Sequence, residues 1–315
     1  MTTDVNVTGH VPTAEDTKRH GFYIPESDFG LSESPTMFPV KEVDLCAVEF
    51  GDSSARIAST SQTHKAIMRE DTDQIVGIVS KSYKPLANQT YFATVETALR
   101  EAIPEELREG AMVRDRVAGS GSWTQREYIF PAFAESLKNT QYETKYGMRI
   151  VAWNSYDGSA SAGLMSGLID FMCTNGVITG RDIAKEMKRH TTRLEAIHFL
   201  PRLRQNLSEI HGHIEEVRKM AHTPLRMDDA LGFLEKHLSG QRAAEMLMRT
   251  QVEAERRGET VQALHAALTM YASHNSGSFA TRQDDPAREA RLLRGREDEV
   301  YRMVSSPEWR ALAAA

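Results

Sequence analysis

Cysteine is scarce in this 315-residue sequence, and long apolar runs are missing from it. The two cysteines, Cys46 and Cys173, lie far apart in different apolar segments. This spacing argues against a disulfide framework and a zinc ribbon, and predicts two small buried side chains in a reducing compartment. The longest apolar stretch, residues 163–172, falls short of the ~18 residues that a membrane span needs. Because the N-terminus also lacks a secretory pattern, we expect a cytoplasmic protein with no membrane partner.

The motifs of several enzyme classes are missing too. There is no G-K-[ST] of a phosphate-binding loop, no H-E-x-x-H and no G-x-S-x-G. Eleven histidines are present, but His211 and His213 would face different sides of a helix. His190 and His198 would share one side but lie ~12 Å apart along it. We therefore expect no metal ion, no cofactor and no catalytic residue, and an enzyme is the least favoured class of function.

Positive charge is confined to the middle of the chain. The net charge is −6, which by itself disfavours a strongly basic nucleic-acid binder. Residues 1–110 carry a net −8, residues 111–222 a net +3 and residues 223–315 a net −1. Within the middle third, residues 181–204 hold seven basic and three acidic side chains. An anionic partner would be attracted to this segment first.

The first part of the chain predicts strands followed by a helix. Residues 1–40 are polar and hold four prolines, which indicates a flexible N-terminal arm. Val43–Phe50 has strand composition, and Lys65–Lys84 reads as strand, turn and strand, with the turn at Glu70–Asp73. Asn88 can cap a helix that runs to Ile103, because apolar residues recur there at spacings of three and four.

The middle of the chain predicts an antiparallel hairpin. Met112–Val117 and Trp123–Pro131 have strand composition, and two glycines between them permit a tight return. Gly147–Asn154 is a further strand. A segment rich in glycine, alanine and serine follows and ends at Asn175 and Gly176.

The C-terminal half predicts helices. Its most regular feature is a seam of apolar residues spaced alternately three and four apart. The seam consists of Leu200, Leu203, Leu207, Ile210, Ile214, Val217 and Ala221. Its helix should begin near Pro201 and end near Thr223, because proline fits only in a first turn. Further helices are expected at residues 229–238, 241–257, 261–274 and 287–304.

These elements predict an α+β protein in which an antiparallel sheet packs against helices and a helical C-terminal half follows. The expected division is a flexible N-terminal arm at residues 1–40, an α+β core domain at 41–180 and a helical region at 181–315.

Several short motifs occur in a characteristic order between residues 40 and 275. Their residues are Tyr83, Asn88, Asn154, Asp157, Gly158, Asn175, Gly176, His190 and His274. In this order the chain resembles the phage- and plasmid-borne proteins called domain of unknown function 932. The resemblance implies a mobile-element protein in a bacterial host cell. It does not identify a reaction that the protein catalyses. Tyr156 stands where the family often has histidine, which puts a catalytic role at that position in doubt.

The element order also resembles that of the phage single-strand annealing recombinases of the Erf and Red-beta kind. The shared order is a helix, a hairpin, a strand and then a helical segment after a glycine-containing turn. No sequence motif supports this second resemblance. It implies a groove lined with basic residues.

Basic and aromatic residues on the predicted hairpin and beyond it are candidates for binding nucleic acid. Arginines neutralise phosphates, and an exposed tryptophan can stack on an unpaired base. The candidates are Arg114, Arg116, Trp123, Arg126, Lys145, Arg149, Lys188, Arg189 and Arg193. The alternative is an ordinary charged sheet face, since Asp115 and Glu127 interrupt the pattern.

The leading hypothesis is therefore a homo-oligomeric phage or mobile-element protein that binds single-stranded DNA, with a possible role of strand annealing in recombination or replication. The alternative is a non-catalytic interaction protein that modulates a host or phage partner. The acidic N-terminal third and the apolar seam favour that alternative.

Overall fold

The described residues form two antiparallel sheets with helices between them and a group of C-terminal helices, which confirms the α+β prediction. The computed structural model describes residues 22–25, 29–50, 54–138, 143–170, 175–177, 186–190, 200–273 and 286–314.

The smaller sheet has three strands in chain order, β1 (Val40–Phe50), β2 (Ala55–Arg69) and β3 (Ile75–Ser80). The acidic turn that joins β2 to β3 confirms the predicted strand, turn and strand. Asp73 in this turn has a φ of 53°, a conformation that aspartate tolerates better than most residues. β3 pairs with residues 64–68 of β2, and among the residues that the structure describes the outer halves of β1 and β2 pair only with each other.

Helix α1 (Asn88–Ala102) follows, and its buried residues include Phe92, Val95 and Leu99 from the predicted apolar face. Pro104 ends this helix and opens the short α2 (Glu105–Arg108), which the sequence did not predict. One detail of the prediction is wrong. Asn88 does not cap α1, because Ala87 holds the N-cap position and Oδ1 of Asn88 accepts from Asn154 Nδ2 and Thr124 Oγ1 instead.

The larger sheet runs in the order β4-β5-β6-β7-β8, and β9 also pairs with β7. Its strands are β4 (Met112–Ala118), β5 (Trp123–Lys138), β6 (Glu143–Ser155), β7 (Ala162–Asp170), β8 (Asn175–Val177) and β9 (Glu186–Lys188). The predicted hairpin and the strand after it are confirmed.

The expected helical segment after the glycine-containing turn is wrong, because this segment is strand β7. Eight of its nine residues are buried, so its sequence shows no polar alternation that would reveal a strand. Gly163 allows the ring of Trp153 to lie against the backbone, since a Cβ there would be 2.0 Å from Cζ2 of that ring. The element order that the resemblance to the annealing recombinases predicted is therefore not found after β6.

The C-terminal half is helical, as predicted. Its helices are α3 (Leu200–His222), α4 (Met227–His237), α5 (Gly240–Arg257), α6 (Val261–Ser273), α7 (Pro286–Val304) and α8 (Pro307–Leu312). Of the seam residues with described side chains, Ile214, Val217 and Ala221 are buried, which confirms the apolar face of α3. The short α8 was not predicted.

One apolar core joins the sheet and the helices. Tyr128 and Leu168 of the larger sheet belong to the same cluster of buried residues as Val217 and Leu264 of the helices. The described part of the predicted N-terminal arm also packs into this core. Phe29 contacts the rings of Tyr128 and Phe130 edge-on, so at least this portion of the arm is held in place by the sheet.

Candidate functional site

The predicted binding face of the hairpin is largely occupied by internal ion pairs. Arg126 is fully buried, and its Nε donates to Glu96 Oε1 of α1 at 3.0 Å. Its Nη1 donates to both carboxylate oxygens of Asp115 at 2.7 and 2.8 Å. A further bond runs from its Nη2 to the carbonyl of Phe29. These acceptors hold the guanidinium inside the protein, where no phosphate can reach it.

The opposite face of the same strands holds a second network. Glu127 is buried and accepts hydrogen bonds from Arg114 and Arg149. Arg149 also donates from Nη1 and Nη2 to Glu297 of α7, each at 3.2 Å. Burial alone would raise the pKa of Glu127, but the charges of Arg114 and Arg149 outweigh it and lower the pKa to about 2. Glu127 is therefore ionised at neutral pH, and it engages both arginines.

Trp123 is not available for stacking on a base. Its ring is fully buried in a cluster with Val151, Trp153 and Met165. Arg114, Arg126 and Arg149 are thus held by acidic partners, and Trp123 is held by apolar neighbours. The chain supplies the acids Glu96, Asp115, Glu127 and Glu297 and the apolar neighbours that cover these side chains, and two of those acids come from separate helices.

The remaining basic candidates differ in exposure. Arg116 and Lys145 are half-buried, and Arg189 is exposed. Lys188 ends β9, but its side chain is not among those that the structure describes. Arg193 lies outside the described residues.

Several of the family-like residues converge at one place, although they come from distant parts of the sequence. We call the group Tyr83, Asn88, Asn154, Tyr156 and His190 the motif junction. Asn154 Nδ2 donates to Asn88 Oδ1 at 2.8 Å and to the carbonyl of Leu86 at 2.6 Å. The phenol oxygen of Tyr156 accepts the backbone N–H of Asn88 at 2.9 Å. These bonds fix the start of α1 against the end of β6.

The smaller sheet meets the motif junction through a close backbone approach. Gly77 on β3 lies so near the turn after β6 that a Cβ there would be 2.1 Å from the carbonyl oxygen of Tyr156. The hydroxyl of Tyr83 donates to the carbonyl of Ser155 at 2.5 Å. Burial, together with the nearby charge of Asp157, raises the pKa of Tyr83 well above its ordinary value. Tyr83 is therefore a neutral hydrogen-bond donor.

His190 completes the junction after the chain leaves β9. Its ring stacks on that of Tyr83, with centroids 4.7 Å apart and planes inclined by 22°. The backbone N–H of Lys84 donates to the carbonyl of His190 at 3.2 Å. Burial lowers the pKa of His190 to about 4, so the ring is neutral at pH 7. Its Nε2 is buried and has no hydrogen-bond partner among the described residues.

Comparison with known proteins places the chain in a family. Residues 75–304 match the family described as Domain of unknown function (DUF932). The chain belongs to this family. No curated protein and no solved structure matches it. The motif junction lies inside the matched region, whereas β1 and β2 precede it.

Of the other DUF932-like residues, Asn175 and Gly176 lie apart from the junction, whereas Asp157 and Gly158 border it. Asn175 and Gly176 sit on β8 and pair with Asp170 and Ile169, at the end of β7 away from β9. Asp157 and Gly158 form the turn after β6, where Asp157 Oδ1 accepts the backbone N–H of Ser159 at 2.8 Å. His274 lies outside the described residues. The family motifs therefore mark more than one region of the fold.

Tyr156 is fully buried and bonded to the start of α1. This contact gives the position a structural role in the DUF932 fold.

A further acid, Asp170, pairs at 2.7 Å with the buried Arg257, and Arg257 also donates to Glu253 at 2.8 Å. Sequence reasoning missed this network, because no local pattern joins β7 to α5.

Two further observations concern the part of the chain that the structure describes. It holds no group of three or more His, Cys, Asp or Glu side chains placed to bind a metal ion. It also holds no helix long and apolar enough to cross a membrane.

The prediction for Cys46 is wrong, because this side chain is exposed on the outer half of β1. Cys173 lies outside the described residues.

Proposed function

We propose that the protein binds single-stranded DNA at the surface of the motif junction, in a phage or mobile element that uses the strand for recombination or replication. One observation carries the proposal. Lys84 and Arg189 are both exposed, and backbone hydrogen bonding between Lys84 and His190 holds their chain segments side by side.

The chemistry of this surface suits a single strand. Lysine and arginine neutralise phosphates, and aromatic rings provide faces on which bases stack. Tyr83 is half-buried and stacks on the neutral ring of His190, so its orientation is set before a ligand arrives. The basic segment of the sequence from Lys188 to Arg193 includes His190 itself. The proposal thus keeps Lys188, Arg189 and Arg193 as binding candidates and moves the site away from the buried hairpin arginines.

Salt-dependent binding tests the proposal. Fluorescence anisotropy of a labelled oligonucleotide, measured over a range of salt concentrations, gives the slope of log affinity against log salt. Lys84→Ala and Arg189→Ala should each weaken binding for all sequences and reduce the slope by ~0.7 per lost phosphate contact. Arg226→Ala is the matched control, because Arg226 is an exposed arginine just before α4 and should leave the slope unchanged.

The outcomes are distinct. The proposal is wrong if the wild-type protein shows no binding at low salt. It is also wrong if the folded Lys84 and Arg189 variants keep the wild-type affinity and slope. Duplex DNA and RNA of the same length serve as competitors and define the preferred strand.

A non-catalytic interaction protein is the second candidate. The observation in its favour is the exposed apolar surface of the smaller sheet, where Phe50, Ile57 and Ile78 are 84%, 67% and 59% exposed. Large exposed apolar groups on a soluble protein mark interaction surfaces. Purification of a stoichiometric complex with one other protein, free of nucleic acid and unaffected by Lys84→Ala, would favour this candidate.

A further inference from the structure

The outer halves of β1 and β2 form a two-stranded projection, which we call the distal ribbon (residues 46–50 and 55–60). Each residue from 46 to 50 is exposed. Neither edge of the ribbon pairs with another strand among the described residues, since β3 reaches only residues 64–68 of β2. Two-stranded ribbons are marginally stable in water unless another surface packs on them.

The distal ribbon has one apolar face. Val48 pairs with Ile57, and Phe50 pairs with Ala55. Because side chains two residues apart point to the same side of a strand, these four groups share a face. The opposite face carries an ion pair between Glu49 and Arg56. The ribbon is thus built to place an apolar surface, with Phe50 near its end, against a partner.

The second exposed apolar surface of the described chain lies on α5. Met248 and Val252 are four residues apart, hence on the same side of the helix, and are 59% and 52% exposed. With Met270 of α6 they line a groove of about 460 Å³. Arg249 and Arg256 also line it, and Arg249 Nη1 donates to Met270 Sδ at 3.4 Å. Methionine side chains adapt readily to the shape of an inserted group.

We propose that the distal ribbon of one copy of the protein docks in the α5 groove of a second copy, with Phe50 as the inserted side chain. The two surfaces match in polarity, because each presents exposed large apolar groups. They also match in charge. Residues 46–60 hold two acidic side chains and one basic one, whereas the charged side chains of α5 that are not buried are three arginines and two glutamates.

The contact joins two different surfaces, so it is heterologous. Each added copy leaves one ribbon and one groove open, and such contacts build rings or filaments rather than closed pairs. This assembly does not depend on the proposed DNA binding, since the ribbon and the groove hold none of the motif-junction residues. It would give a strand-binding protein repeated binding surfaces along one strand.

A mixing experiment tests the heterologous geometry. Light scattering coupled to size-exclusion chromatography, without DNA, gives the mass of each variant. Wild-type protein should form assemblies larger than two chains. Phe50→Ser removes the inserted group and Met248→Glu places a charge in the groove, so each variant alone should be monomeric. A one-to-one mixture of the two variants retains one intact ribbon and one intact groove, and should form a complex of two chains that grows no further.

Other results would overturn the proposal. If the ribbon packs on a second ribbon, Met248→Glu should assemble like the wild type while Phe50→Ser stays monomeric. If the wild type is monomeric at its highest soluble concentration, the ribbon does not bind a second copy. Ile24→Ser is the control, because it removes an exposed apolar group elsewhere and should leave assembly unchanged. Circular dichroism and melting temperature establish that each variant is folded, and Val252→Glu replaces Met248→Glu if that variant is not.

Discussion

The guanidinium Nε of Arg126 donates to Oε1 of Glu96 at 3.0 Å, and both side chains are fully shielded from solvent. The bond joins β5 to α1. Asp115 on the neighbouring strand, the carbonyl of Phe29 and the hydroxyl of Tyr23 are further acceptors. Four separate segments therefore meet at one buried cation. Its removal would leave two carboxylates without their main partner, which is more costly than the loss of a surface pair.

Arg126→Met should accordingly reduce the free energy of unfolding by about 3–5 kcal/mol. Urea denaturation followed by circular dichroism measures this loss. Arg116→Met, at a half-buried position on β4, is the control and should cost less than about 0.5 kcal/mol. An Arg126→Met protein with wild-type stability and weakened DNA binding would show instead that this arginine serves the ligand.

Two glycine substitutions test the close backbone contact between the smaller sheet and the motif junction. Gly77→Ala should destabilise the protein by more than about 2 kcal/mol, because its Cβ would overlap the carbonyl of Tyr156. Gly232→Ala, within α4 and with open space around it, should stabilise by about 0.5–1 kcal/mol. Melting curves of the two variants must move in opposite directions. A harmless Gly77→Ala would mean that β3 does not lie against this turn.

His190 should make the protein less stable in acid. Its pKa is about 4 when folded and about 6.5 when unfolded, so between these values the unfolded chain binds a proton that the folded protein does not. The free energy of unfolding should therefore fall as the pH drops from 7 to 4, with a contribution from His190 of roughly 3 kcal/mol.

Comparison of His190→Gln with the wild type isolates this contribution. Denaturation at a series of pH values should show a shallower fall for His190→Gln. His64→Gln replaces an exposed histidine and serves as the control. Parallel curves for His190→Gln and wild type would mean that His190 is not buried beside Tyr83.

Cys46 should react rapidly with a thiol reagent in the native protein. Its side chain is exposed on the distal ribbon, where Sγ lies 3.5 Å from Thr60 Oγ1. Mass spectrometry of the labelled protein identifies the site, and Cys46→Ser should remove that label. If the proposed self-assembly covers this part of the ribbon, labelling of wild type should be slower than that of the monomeric Phe50→Ser variant. Slow labelling of monomeric protein would place Cys46 in a protected environment.

Some elements were predictable because their causes are local. The spacing of Phe92, Val95 and Leu99 sets one apolar face of α1, and Pro104 ends it. Likewise, the seam that includes Ile214 and Val217 has the period of a helix and lies on one. Strand β7 escaped prediction because both of its faces are buried, which leaves no alternation to read.

Local sequence patterns were enough to predict the α+β class and most helix boundaries, because turns, prolines and apolar periods act within a few residues. Which charged side chains face solvent depends instead on tertiary packing. Arg126 and Arg189 are both arginines in a positively charged region of the sequence. One is buried against Glu96 and Asp115, and the other is exposed beside His190. That difference depends on acids brought from distant segments, and no local pattern encodes which partners a folded chain brings together.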